Sequence, residues 1–211
     1  LERYTLAHPV VTHPLLGAIG SGRLSDGAIR RFAIAYYPHI QRTRLYQAAA
    51  LSICPDEGLQ LALASILTDE YGEGDPARTH PAIYRTFLRA LGLTEADWDM
   101  APLPALQAYI ATHRALCTDN PWTAVGVAGL AMEWPIPAMY APIASGLRQR
   151  GLSEQALELF TGHIELDEDH GERIEAALRP HLERTQVRRS VAEGVRASLE
   201  ARMAWMDGLF A

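Results

Sequence analysis

Three residues in the stretch Thr161-Gly-His163-Ile-Glu-Leu-Asp167-Glu-Asp-His170-Gly171 limit what this chain can fold into. His163, Asp167 and His170 stand at i, i+4 and i+7. At about 100° per residue they fall within roughly 60° of one another, on one stripe of a helix. Two imidazoles and a carboxylate therefore point the same way over two turns. Glu165, Glu168, Asp169 and Glu172 would also suit a solvated acidic face. Yet Ile164, Leu166, Ile174 and Leu178 leave no apolar stripe clear of the three, so a helix that buries any face here buries some of them. A carboxylate buried between two histidines requires a counter-charge, and a metal ion supplies it. Nitrogen and oxygen donors without a nearby thiolate suit iron or manganese better than magnesium or calcium.

The rest of the chain is written at helical spacing. Leu15-Leu16-Gly-Ala-Ile19 predicts a short helix ending at Gly20 or Gly22, and His8 and His13, each before a Pro, read as structural. Phe32, Tyr36, Ile40, Thr43, Gln47 and Ala50 predict one long helix from Ser25 to about Cys54, kinked at Pro38. Further helices are expected over 56–71, from His80 to Gly92, and from Pro102 to about Thr118, with a capping box at Thr94 to Asp97. Asn120-Pro121 opens a long apolar helix to about Arg150, broken by Pro135 and Pro137. Ser153 caps the helix that carries the histidines, and Pro180 separates it from the last. Nowhere does a sustained apolar–polar alternation mark a strand. The expectation is an all-α bundle of roughly seven or eight helices in a single domain, 1–211.

Composition narrows the function. A net charge of −6 argues against a nucleic-acid partner, which would meet a basic face. Apolar runs such as Val125 to Met132 are too short to span a bilayer, and no cationic leader is visible, so a cytoplasmic protein without a membrane partner is expected. Cys54 and Cys117 read as buried thiols in a reducing compartment.

Other ligands can be sought by asking which charged residues interrupt apolar stretches. Glu133 stands in Leu130-Ala-Met-Glu133-Trp134-Pro135, and a lone Glu there is rarely buried unpaired. Glu70 ends one helix and His80 begins the next, across a turn built on Gly72 and Gly74. Taken together, Asp69-Glu70-Tyr-Gly72-Glu-Gly-Asp-Pro-Ala-Arg-Thr-His80, the isolated Glu133, and His163-x3-Asp167-x2-His170 resemble the heme-oxygenase-like diiron oxidases and oxygenases, over about His8 to Arg173.

That resemblance implies a heme-oxygenase-like bundle of about seven main helices. It also implies two Fe(II) per chain with O2 as co-substrate, held by Glu70, His80, Glu133, His163, Asp167 and His170, with Glu133 bridging. Some members carry a further Glu on the first long helix; here Tyr36-Tyr-Pro-His39-Ile-Gln41-Arg-Thr-Arg44 has none, and His39 stands in its region. Members of the superfamily make terminal alkenes from fatty acids, fragment or desaturate amino acids, and oxygenate nitrogen. The expected activity is therefore O2-dependent oxidation of a small carboxylic or amino-acid substrate in a biosynthetic pathway. An external electron donor and a homodimer stay open. Tyr37, His39, Arg42, Arg44, Trp134, Tyr140 and Arg173 are the candidates for substrate contact, the arginines as clamps for a carboxylate. Two alternatives remain: a metal-free enzyme resembling thiaminase II or pyrroloquinoline-quinone synthase, and a non-catalytic metal-binding helical protein.

Overall fold

The structure is a computed structural model that describes the backbone of residues 1–210 and all their side chains except those of 165–168 and 210. Among the described residues every regular element is helical, as the spacing predicts. The chain opens with α1 (Glu2–Leu6) and α2 (Pro14–Gly20). His8 and His13 each accept a backbone N–H through Nδ1, from Val10 and Leu15, and so cap the short helices that follow.

The expected helix from Ser25 to Cys54 is two helices, α3 (Asp26–Ile40) and α4 (Thr43–Ile53). Pro38 is tolerated inside α3, and the break comes one turn later, at Gln41 and Arg42. There the Arg42 N–H turns to His39 O, while Arg42 Nη1 donates to Pro38 O at 2.7 Å. The side chain thus satisfies the carbonyl that the helix no longer serves.

Asp56 caps α5 (Glu57–Glu70). The chain then turns through Gly72, whose φ is +65°, and a Cβ added there would lie 2.5 Å from the backbone of Arg78. Glycine is required at that position, because it lets the 71–79 loop fold tightly and return His80 beside Glu70. Next come α6 (His80–Ala90), α7 (Glu95–Trp98) with the expected capping box, and α8 (Pro104–Asp119).

Asn120 caps α9 (Pro121–Val125), but the expected long helix does not run on to the prolines in α form. Gly126–Ala131 is a π-helix, residues 132–135 form a turn, and α10 covers Ile136–Gln149. A Cβ on Gly126 would lie 2.3 Å from Val191 O, so the backbones meet too closely for any side chain. The π-helix shifts the register just before Glu133, a device often found beside functional sites. Two long helices finish the chain, α11 (Glu154–Leu178) and α12 (Thr185–Phe210). α11 packs on α5, α6 and α10, whereas α12 packs on α8, α9 and the π-helix. The polar centre lies between these two groups. Cys54 and Cys117 are buried free thiols, and no helix among the described residues is long and apolar enough to cross a membrane.

Candidate metal centre

Glu70 from the end of α5, His80 from the start of α6 and His163 from mid-α11 each offer one donor atom, all within 4.8 Å of one another. Donors around one first-row ion at about 2.1 Å can lie no more than about 4.2 Å apart, so small side-chain rotations close the set. Glu70 Oε2 lies 2.8 Å from His80 Nδ1 yet takes no well-aligned hydrogen bond. Such a contact suits two donors turned toward a common ion.

On the other side, Glu133 from the turn before α10 lies beside His170 of α11, with Oε2 3.4 Å from Nδ1. Glu70, His80, Glu133, His163 and His170 line one cavity of about 30 Å³. A second cavity, about 110 Å³, shares His80, His163 and His170 and adds Asp69, Arg78 and Glu158. The side chain of Asp167, the remaining ligand implied by the sequence, lies outside the described residues.

Hydrogen bonds set which ring nitrogens are available. Leu159 O can only accept, so His163 Nδ1, 2.6 Å away, must carry the proton and leave a lone pair on Nε2. Burial, with His80 facing it, pushes His163 down to about 3, which keeps it a neutral ligand at neutral pH. For Glu70, burial opposes the charge, but His80 beside it holds the carboxyl below its ordinary value. Burial likewise opposes charge on His80, and Glu70 outweighs it and raises the imidazole. Burial pushes Glu133 up against the pull of His170, while His170 is raised by Glu133 and Asp69 despite its own burial. These carboxylates draw positive charge into an otherwise apolar interior, and a divalent cation meets that demand more fully than protons can.

The residues named for substrate contact divide. His39 and Tyr140 line the cavity; Tyr140 Oη lies 3.4 Å from Tyr36 Oη, and its ring centroid 5.5 Å from that of His163. Tyr37 and Arg42 line a separate surface hollow with Arg85 and Trp98. Arg44 lies over the Tyr71 ring, close enough to help hold Glu70 charged. Trp134 is buried with its ring against Gly171, where a Cβ would come within 2.8 Å of it. Arg173 is half-exposed, bonding Ser65 and Asp169.

Three residues of the centre carried no assignment from the sequence. Asp69 Oδ2 lies 2.7 Å from His170 Nε2, orienting that ring from outside. Gln47 of α4 donates to Glu133 Oε1 at 3.0 Å. Arg202 of α12 lines the cavity and is 1% exposed. A signal for Arg202 was present: with Val191, Val195, Leu199 and Met206 it repeats at three- and four-residue steps, so a charge occupies a buried stripe.

Fold and centre together describe an all-α bundle whose interior gathers side chains that could hold a metal ion. The chain belongs to the iron-containing redox enzyme family, whose model matches residues 30–203. Among curated relatives it is 26% identical to 4-aminobenzoate synthase of Nitrosomonas europaea, over 95% of this chain and 85% of that one. It is 24% identical to 4-chloro-allylglycine synthase of Streptantibioticus cattleyicolor, over 96% and 78%. Among solved structures, a TenA homolog from Pseudomonas syringae pv. tomato superposes with a TM-score of 0.77 at 16% identity, covering 95% of this chain and 86% of that one. A domain with a heme oxygenase-like fold from Shewanella denitrificans gives 0.73 at 19%, over 95% and 85%. The fold is heme-oxygenase-like.

Proposed function

We propose that this family member is a non-heme diiron enzyme that uses O2 to oxidise a small substrate bearing a carboxylate, in a biosynthetic pathway. The observation that carries the proposal is the convergence of Glu70, His80 and His163 donor atoms within 4.8 Å, on a cavity that Glu133 and His170 also line. Glu70, His80 and His163 would hold one iron, and His170 with Asp167 the other, with Glu133 between them. Two ferrous ions held there would supply O2 activation.

The protein's own groups set the conditions for that chemistry. His163 presents Nε2 because Leu159 O holds its other nitrogen, and Asp69 does the same office for His170. Gln47 fixes one oxygen of Glu133 and leaves the other facing His170. Met132, Ile136 and Ile66 wall the cavity with apolar surface, which keeps bulk water from the reacting groups. Both curated relatives are named for amino-acid products, which supports a small carboxylate-bearing substrate over a long acyl chain.

The test is to count iron after anaerobic Fe(II) loading and then to follow O2 uptake with amino acids, aromatic acids and fatty acids. About two Fe per chain and substrate-triggered uptake are expected. The likeness to the TenA homolog favours a second reading, a metal-free enzyme of the same fold. A loaded protein that retains no iron would select it.

A further inference from the structure

The centre has a cation on its far wall. Arg202 extends from α12 into the cavity that Glu70, His80, Glu133, His163 and His170 line from the opposite helices. It is 1% exposed, and among the described residues no carboxylate pairs with it. Nε has no hydrogen-bond partner, Nη1 reaches the Met139 sulfur at 3.9 Å, a weak acceptor, and the Tyr109 hydroxyl lies within hydrogen-bonding reach of the guanidinium. Its electrostatic neighbours are Tyr109, Tyr36 and Tyr140, whose neutral hydroxyls are dipoles and not counter-ions. His39 lines the same cavity, and burial and Arg202 itself hold it neutral. A guanidinium buried without a counter-ion is costly, and an anion that reached it would offset that cost.

We propose that Arg202 is the anion anchor of this cavity and receives the carboxylate of the substrate, directing the rest of the molecule toward Glu133 and His163. A carboxylate offers the guanidinium two coplanar oxygens. The planar fork of arginine matches that pair of oxygens. Tyr140, 3.4 Å from Tyr36 through the hydroxyls, stands where it can donate to the same group. The assignment deepens the proposed oxidase function and rests on it for the word substrate, but binding of the anion itself requires no iron.

Calorimetric titration of the metal-free full chain with propionate and propionamide tests the anchor. Propionate should bind saturably and at least roughly tenfold more tightly than propionamide, as a charge-assisted pair predicts. Arg202→Met, checked for folding by circular dichroism, should lose that preference, and Arg202→Lys should keep part of it. Equal binding of acid and amide, no binding of either, or an undiminished preference in a folded R202M would each overturn the proposal. If R202M does not fold, the acid–amide comparison in the unaltered protein and the R202K titration still decide. Loss of the iron count with propionate binding intact would remove the oxidase reading and leave the anchor standing.

Discussion

The two walls of the central cavity solve the burial of polar groups in opposite ways. On the α5–α6–α11 wall two imidazoles lie against carboxylates, His80 against Glu70 and His170 between Glu133 and Asp69, while Leu159 O holds His163. On the α3–α8–α12 wall the imidazoles of His39 and His113 lie among Tyr36, Tyr109, Tyr46 and Trp205, with Arg202 the nearby charge. The first pair is raised in proton affinity. The second is depressed, His113 to about 3, first by burial and then by Arg202. A buried histidine is thus a poor indicator of a metal site by itself. The raised imidazoles, His80 and His170, are those with a carboxylate oxygen in direct contact.

The largest expected effect comes from removing the carboxylate between the two halves of the ligand set. Glu133→Ala should lose both irons or leave them uncoupled, while His163→Ala or His170→Ala should each lose about one, measured as iron per chain after anaerobic loading. Unchanged iron in all three would erase the distinction between the walls.

Gln47→Leu tests the support behind that carboxylate. Without the 3.0 Å bond from Gln47, Glu133 loses its fixed orientation, and Fe(II) affinity should fall about 10- to 100-fold in a competitive chelator titration. An unchanged affinity would show that the turn alone holds Glu133.

The aromatic wall should reveal itself in acid. Folded His113 resists protonation down to about 3, whereas the unfolded chain takes up that proton near the ordinary value of about 6.5. Between these values the unfolded state binds more protons, so stability falls as pH falls through that window, by up to about 1.4 kcal/mol per unit for this residue. Raised imidazoles such as His80 work with the opposite sign: their contribution is present below the unfolded value and is lost as pH rises through the folded one. His113→Phe costs some stability at pH 7, since Ser198 and Tyr109 O lose a partner, but urea unfolding at pH 7, 6 and 5 should show a slope flatter by about one proton. An unaltered slope would mean that other groups carry the acid sensitivity.

The smallest effect is expected at Arg173. It is half-exposed and bonds Asp169 one turn away, so Arg173→Ala should change stability by no more than about 0.5 kcal/mol and leave iron content untouched. A loss of iron there would extend the centre outward along α11.

The sequence by itself determined the fold class, the caps and the shared stripe of His163 and His170. Each of these depends on residues within a turn or two of one another, where helical periodicity and hydrogen-bonding side chains act locally. The Glu70-to-His80 turn was legible for a similar reason, since glycine marks where the chain can reverse. Only the tertiary structure decided where the first long helix breaks, because that depended on Arg42 reaching back to Pro38 O. It alone moved the π-helix into place, since Gly126 shortens the approach to Val191 from far along the chain. It alone brought Gln47, Asp69 and Arg202 to the cavity. Their roles depend on which face each helix turns toward helices distant in sequence, and packing of whole surfaces sets that choice, beyond the reach of any local pattern.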